Sequence, residues 1–95
     1  MDIGIGLPGH AWWTDGTTLV EWARRAEARG FSTLGVSDRL AWSTPGPLIT
    51  LAAAAGATSR IRLLTSVLLA SLRTNHALFA KAVTTLDQLA GPGRL

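Results

Sequence analysis

The chain has 95 residues, 47% of them hydrophobic, no cysteine, and a net charge of +3, which fits one small folded domain or a part of a larger one. The lack of cysteine excludes a disulfide framework and a cysteine-ligated zinc site, and the two histidines are too few and too far apart to predict a metal centre. The arginines are scattered rather than clustered, so the sequence does not predict a nucleic-acid-binding surface.

The first predicted element is a short strand in which Ile3, Ile5 and Leu7 alternate with Gly4 and Gly6. Residues 4–9 also match the dinucleotide-binding pattern G-x-G-x-x-G letter for letter. That motif requires the glycines to follow a strand and open a helix, whereas here they lie within the strand. We therefore interpret them as a glycine-spaced strand whose backbone is closely approached by a neighbour.

A helix is predicted over residues 18–29, because Thr18 and Glu21 have the spacing of a capping box and Gly30 suits the position after the last turn. A second strand is predicted over residues 31–37. The helix face expected to be buried comprises Leu19, Trp22, Ala23 and Ala26.

A second helix is predicted over about residues 47–58, since Pro47 suits a first helical turn. Residues 61–69 form an almost continuous apolar run, which is typical of a strand buried on both faces. A third helix is predicted over residues 76–90 with Asn75 as its cap, and Arg94 would begin a further strand. The expected buried stripe of the third helix comprises Phe79, Ala82, Val83, Leu86 and Leu89.

The predicted order β-α-β-α-β-α, with repeats of about 30 residues, indicates an α/β fold with parallel strands and right-handed crossovers. A doubly wound sheet and a piece of a (β/α)8 barrel both fit this order. A doubly wound nucleotide-binding domain would need its dinucleotide at residues 4–9, where the glycine pattern argues against it.

Residues 40–59 are uncharged but are interrupted by Pro45, Gly46 and Pro47, so they do not resemble a membrane span. The chain starts Met1-Asp2 without the basic region of a signal peptide. We therefore expect a cytoplasmic protein that contacts neither a membrane nor nucleic acid.

Four segments, taken in order, resemble the bacterial luciferase-like family of flavin- and deazaflavin-dependent oxidoreductases and monooxygenases. They are WARRAEARGFSTL (22–34), VSDR (36–39), TSRIRLLTSVLL (58–69), and AK, TLDQLAG and GRL within 80–95. The resemblance implies a (β/α)8 TIM-type barrel of about 250 residues, of which this chain would hold about three βα units. We thus expect residues 1–95 to be an N-terminal fragment of a luciferase-like barrel domain, with an incomplete barrel.

Barrel enzymes place their sites at the carboxyl ends of the strands. By resemblance, Asp38 would contact a flavin-type ring, and Ser66 and Val67 would form a third-strand bulge whose non-prolyl cis peptide backs that ring. Arg39 replaces the catalytic His that often follows the acid, so the general base is missing or lies elsewhere, which argues against a sugar-phosphate dehydrogenase. The alternative for Asp38 is that it caps a loop or pairs with Arg39.

The loop after the first strand carries His10 and Trp13, which we assign with Arg39 to the substrate pocket; a loop histidine with aromatic neighbours is the alternative for His10. His76 is expected at the surface and Trp22 in the core. No catalytic residue is identified, and no metal is expected.

By resemblance, the cofactor would be deazaflavin coenzyme F420 or FMN, and a small-molecule substrate would be oxidised by hydride transfer or oxygenated through the reduced cofactor. Because most of the barrel is not in the chain, we expect it to be inactive alone, and the sequence leaves open whether it is an enzyme. The alternative is a non-catalytic assembly or complementation piece. It would self-associate, or bind a complementing chain, through helices two and three and the open sheet edge.

Overall fold

The computed structural model describes residues 1–8, 15–41 and 44–95. Strands and helices alternate along the chain, which confirms the predicted α/β order. The elements are β1 (Gly4–Gly6), α1 (Gly16–Ala28), β2 (Thr33–Val36), α2 (Pro47–Ala57), β3 (Arg62–Thr65), a short 3-10 helix (Ala70–Leu72) and α3 (His76–Ala90).

The three strands form one parallel sheet in the order β1-β2-β3, as three consecutive βα units require. Side chains alternate between its two faces, so strand pairing sorts them into rows. The row Ile5, Leu34, Leu63 faces the helices and belongs to the hydrophobic core or packs against it. The rows Gly4, Thr33, Arg62 and Gly6, Gly35, Leu64 lie on the opposite face, here called the inner face.

The core lies between the sheet and the helices, and α2 is its central helix because it packs against both α1 and α3. Leu51 of α2 is fully buried, as is Leu34 of the middle strand. The small residues of α1 and α2 that are buried, Ala23, Ala26, Ala54 and Ala55, allow these elements to approach closely. Within the described ranges, no helix has both the length and the apolar character needed to cross a bilayer.

Helix α1 differs from its prediction in its first residue, which is Gly16 rather than residue 18, in its cap and in one core residue. Its cap is Asp15, whose carboxylate accepts the Thr18 N–H at 2.8 Å, so the predicted capping role of Thr18 is wrong. Asp15 lies three residues before Thr18, and either residue type can cap a helix. Trp22 is 40% exposed rather than in the core, because it lies on the flank of α1 beside a shallow groove next to Arg25 and Phe31.

Strand β3 is shorter than predicted and is buried on only one face. It ends at Thr65, and the chain then turns through Ser66 and Val67, whose peptide bond is cis. Leu63 is buried against the helices, but its neighbour Leu64 is 50% exposed on the inner face. The helices pack on the other side of the sheet, so the apolar run does not indicate burial on both sides.

Helix α3 has the bounds predicted for it, and the side chain of Asn75 caps it by accepting the Leu78 N–H at 3.0 Å. Its predicted stripe is only partly correct: Ala82 and Leu89 are exposed. Among the helices in the described residues, α3 packs mainly against α2, which buries a narrow strip of it. Leu86 and Ala90 are buried, while Phe79 and Val83 are half-buried.

The main chain of Arg94 lies beside β3, where its carbonyl accepts the N–H of Leu63. This is the place at which a fourth parallel strand would pair with β3. Residue 94 is not assigned to a strand in the structure, so a further strand starting there stays a prediction, which this contact supports.

Candidate functional site

An open cavity of about 480 Å³ lies on the inner face of the sheet. Its floor includes Gly6 and Gly35, which pair across β1 and β2, with Leu64 of β3 next to them. A Cβ added at Gly6 or Gly35 would meet its nearest atom at 3.9 or 4.0 Å, so neither glycine is required by crowding within the sheet. The floor is therefore bare main chain with free space above it.

The carboxyl end of β2 is tied to the residues that follow β3. Ser37 comes directly after β2, and its Oγ donates to the carbonyl oxygen of Ser66 at 3.3 Å. Both serines line the cavity. Parallel strands bring these two ends to the same edge of the sheet, which is why residues 29 positions apart meet here.

Asp38 lies next to this tie, and its carboxylate points into the turn after β3. Its Oδ2 accepts the N–H of Leu69 at 2.8 Å and Nη1 of Arg73 at 2.7 Å. The side chain of Asp38 is only 10% exposed and that of Arg73 is 25% exposed, so this ion pair is shielded from water. The sequence alternative for Asp38 is that it caps a loop or pairs with Arg39; in the structure it accepts a main-chain N–H of the turn after β3, and the arginine with which it pairs is Arg73.

The environment of Asp38 favours its charged form. Burial opposes ionisation, but the hydrogen bond from the Leu69 N–H and the bond and charge of Arg73 outweigh it, so the pKa of Asp38 lies below its ordinary value. At neutral pH the side chain is thus a carboxylate that accepts hydrogen bonds and has no proton to donate.

Ser66 and Val67 begin the turn at the carboxyl end of β3. The peptide bond between them is cis, the geometry that the sequence resemblance led us to expect at this point. Ser66 lines the cavity, and the side chain of Val67 is 64% exposed beside it. Asp38, Ser66 and Val67 are therefore brought to one edge of the sheet, whereas their contact with a cofactor stays a prediction.

The predicted substrate-pocket residues are placed less completely. His10 and Trp13 lie outside the described residues, and Arg39 is exposed after the end of β2. His76 is exposed at the first position of α3, as expected. In the part of the chain that the structure describes, no group of three potential metal ligands comes together.

The residue that sequence reasoning missed is Arg73. The signal for it was weak: it is the one charged residue between Arg62 and Lys81, in a stretch that is otherwise apolar or neutral. A lone charge in such a stretch often has a buried partner, but nothing in the pattern identifies Asp38, 35 positions earlier, as that partner.

The site is suited to a flat ligand rather than to a highly charged one. A planar conjugated group could lie on the Gly6–Gly35 floor, where the two glycines present no side chain, with Leu64 beside it and the hydroxyl of Ser37 and the main chain of residue 66 at its border. Arg62, which lines the cavity, is paired with Asp2, and the nearby Arg73 is paired with Asp38. The residues present therefore fit the ring of a flavin-type cofactor.

Comparison with known proteins agrees with this geometry. The family model for luciferase-like monooxygenases matches residues 1–95. The chain is 38% identical over 101 aligned positions to an F420-dependent glucose-6-phosphate dehydrogenase from Kribbella flavida, covering 100% of this chain and 30% of that protein. It is 40% identical over 82 positions to an enzyme of the same name from Kineococcus radiotolerans, covering 80% of this chain and 24% of that one.

Among solved structures, the crystal structure of monooxygenase RslO1 from Streptomyces bottropensis superposes with a TM-score of 0.79 at 28% identity, covering all of this chain and 31% of that one. The chain thus spans no more than about a third of the length of the proteins that it matches. Because the family model matches from the first residue to the last and the three parallel βα units agree with it, the chain belongs to the luciferase-like monooxygenase family.

Proposed function

We propose that residues 1–95 form the first three βα units of a flavin- or deazaflavin-dependent oxidoreductase and supply one wall of its cofactor site. The observation that carries this proposal is the bare floor at Gly6 and Gly35, directly beside the Ser37 and Asp38 end of β2. The names of the relatives, which include F420-dependent dehydrogenases and a monooxygenase, support a cofactor of this class. F420 and FMN both have the planar ring system that such a floor admits.

In this proposal the bound cofactor supplies the redox chemistry, either hydride transfer or activation of oxygen through its reduced ring. The residues of this chain shape the cofactor site and hold its main chain in position. Gly6 and Gly35 leave room for the ring, Ser37 holds the carbonyl of Ser66, and Asp38 holds the N–H of Leu69. The wall beside the ring is thereby fixed before the cofactor arrives, which lowers the entropic cost of binding.

The substrate that we propose is a small molecule, but not a sugar phosphate. Arg39 follows Asp38 at the position where the resemblance leads one to expect a catalytic histidine. Arginine is protonated at all physiological pH values and cannot act as a general base. We therefore propose an oxidation or monooxygenation whose general base, if one is needed, is a residue other than Arg39. We also propose that the protein is located in the cytoplasm.

The test is a titration of residues 1–95 with FMN and with F420, following the fluorescence of the cofactor. Gly35→Ala adds a methyl group to the floor, where it meets no atom of the sheet closer than 4.0 Å, so the fold should be retained. We expect wild type to bind one cofactor saturably and Gly35→Ala to bind it about tenfold or more weakly, a difference of about 1.4 kcal/mol. We expect no turnover by this chain alone.

The matched control is Gly56→Ala in α2, on the helical side of the sheet, where an added Cβ meets nothing within 4 Å. It should leave the affinity unchanged. Failure of wild type to bind either cofactor would refute the cofactor site in this chain. Equal affinity of wild type and Gly35→Ala would refute the placement of the ring on the floor.

A second candidate function is assembly with another copy or with a complementing chain. The observation that favours it is a set of large apolar side chains left exposed on α3 and just before it, Leu72, Leu78 and Leu89, each more than half exposed. Sedimentation velocity over a range of concentrations tests this function. Self-association that Leu78→Asp abolishes would support it, whereas a monomer at every concentration would exclude self-assembly.

A further inference from the structure

Both polar groups of the Leu69 main chain are held by side chains that also hold each other. Its N–H donates to Oδ2 of Asp38 at 2.8 Å, and its carbonyl accepts Nη1 of Arg73 at 2.8 Å. The same Nη1 donates to the same Oδ2 at 2.7 Å. Asp38, Leu69 and Arg73 thus form a closed ring of hydrogen bonds, here called the Asp38–Arg73 clasp.

The clasp acts on the segment that begins beside the cavity. Residues 66–69 connect the end of β3 to the short 3-10 helix, and Ser37 holds the first of them through the carbonyl of Ser66. The clasp holds the last of them. The segment is therefore fixed at both ends by the two residues that directly follow β2, Ser37 and Asp38. Its position at residue 69 depends on the side chain of Asp38.

Arg73 determines where that carboxylate points. Its guanidinium lies 5.8 Å from the ring centroid of Phe79, which supports it from α3, and the Arg73–Asp38 pair is largely shielded from solvent. Without Arg73, Asp38 would be a poorly solvated carboxylate with one hydrogen bond from Leu69, and rotation towards water would relieve it. The rotated side chain would release the N–H of Leu69.

We propose that Arg73 is a positioning residue of the cofactor site: through Asp38 and the main chain of Leu69 it holds residues 66–69 against the open end of the glycine floor. This inference rests on the proposed function. In this inference the carboxylate of Asp38 holds residues 66–69 in position through the N–H of Leu69. Asp38 would thus affect cofactor binding through the position of that segment.

The experiment compares Arg73→Met and Arg73→Lys with wild type in residues 1–95. Methionine keeps much of the aliphatic length and removes the charge and every donor, whereas lysine keeps the charge and a donor. Two quantities are measured: the affinity for FMN and F420 by cofactor fluorescence, and amide hydrogen exchange in a peptide that contains Leu69. Arg25→Met is the matched control, since Arg25 forms an exposed ion pair with Glu21 on α1.

We expect Arg73→Met to weaken cofactor binding about tenfold or more and to speed exchange at Leu69 at least as much, with exchange in α1 unchanged. Arg73→Lys should recover part of both losses, which general destabilisation would not produce. Arg25→Met should change neither quantity.

Wild-type affinity in Arg73→Met would overturn the inference and leave the proposed function intact. The inference is also overturned if Arg73→Lys is as impaired as Arg73→Met, or if exchange in α1 rises together with exchange at Leu69, because the loss then reflects the whole fold. Failure of wild type to bind either cofactor would overturn the proposed function and, with it, the cofactor role of Arg73.

Discussion

Arg94 and Thr58 are joined by a hydrogen bond of 2.6 Å between Nη2 and Oγ1, although 36 positions separate them in the chain. Arg94 is only 8% exposed, and its other donors reach the carbonyl oxygens of Ile61 and Ala90 at 2.9 and 2.8 Å. Thr58 in turn donates to the carbonyl of Ala54. One buried guanidinium therefore links the ends of α2 and α3 to the start of β3.

We expect Arg94→Met to destabilise the chain by about 2–4 kcal/mol, because it leaves several shielded carbonyls without a charged donor. Arg94→Lys should lose less stability, because it keeps the charge. Some loss should remain, because one ammonium group cannot reach all of the acceptors at once. Urea unfolding followed by circular dichroism measures both losses. The control Arg25→Met removes a highly exposed ion pair and should cost about 1 kcal/mol or less; an equal loss from both variants would contradict the linking role of Arg94.

Two glycines should respond to alanine in opposite directions. A Cβ at Gly4 would lie 3.2 Å from the carbonyl oxygen and 3.3 Å from the Cβ of Thr33 in the paired strand, so Gly4→Ala should cost about 1–3 kcal/mol. Gly56 is in α2 with nothing within 4 Å, and Gly56→Ala should stabilise by about 0.5–1 kcal/mol. Chemical unfolding of the two variants side by side decides this, and a neutral Gly4→Ala would refute the close approach of β2.

Glu27 should make stability depend on acid pH. Burial opposes its ionisation, but the backbone N–H groups of Ile61, Arg60 and Ser59 and the charge of Arg60 outweigh it, so the pKa of Glu27 lies below its ordinary value of 4.5. A depressed folded-state pKa contributes stability that is complete above 4.5 and is lost as the pH falls through the lower folded value. Two of the bonds that carry this effect measure 2.6 Å from Arg60 and 2.8 Å from Ile61.

We therefore expect Glu27→Gln to be less stable than wild type at neutral pH and to show a flatter fall in stability below pH 4.5. Asp38, whose pKa is also lowered, should preserve part of the dependence of stability on pH in Glu27→Gln. Urea midpoints measured from pH 7 down to about pH 3 test this. Parallel curves for the two proteins would show that Glu27 does not contribute to the acid sensitivity.

The start of α1 offers a test between two capping residues. The carboxylate of Asp15 accepts the Thr18 N–H, whereas Thr18 contributes only its main chain to this bond. Asp15→Ala should destabilise the chain and increase exchange in the first turn of α1, while Thr18→Ala should change stability by about 0.5 kcal/mol or less. The reverse order of the two effects would restore the capping box that the sequence pattern suggested.

The features that could be predicted from the sequence are those determined by residues close together in the chain. Helix α3 has the bounds expected of it because Asn75 caps it and Gly91 follows its last residue with a φ of 94°, a conformation that favours glycine. The parallel order followed from the alternation of short strands and helices. Between Asp15 and Thr18 the local pattern could not decide, since both residue types cap helices well.

What could not be predicted depends on contacts between distant segments. Strand β3 ends at Thr65 because the chain turns there and Ser66 contacts Ser37, which lies 29 positions earlier in the sequence. The exposure of Leu64 and Trp22 depends on which faces other elements cover, and hydrophobicity alone does not show this. The pairing of Asp38 with Arg73 is of the same kind.

The Asp38–Arg73 clasp also has a consequence for how this region can diverge among relatives. It grips the N–H and C=O of residue 69, which every amino acid except proline possesses in full. The side chain at position 69 takes no part in these hydrogen bonds, so a change of side chain there leaves the bonds of the clasp in place. Positions 38 and 73 lack this freedom, and we expect changes at one to be accompanied by compensating changes at the other.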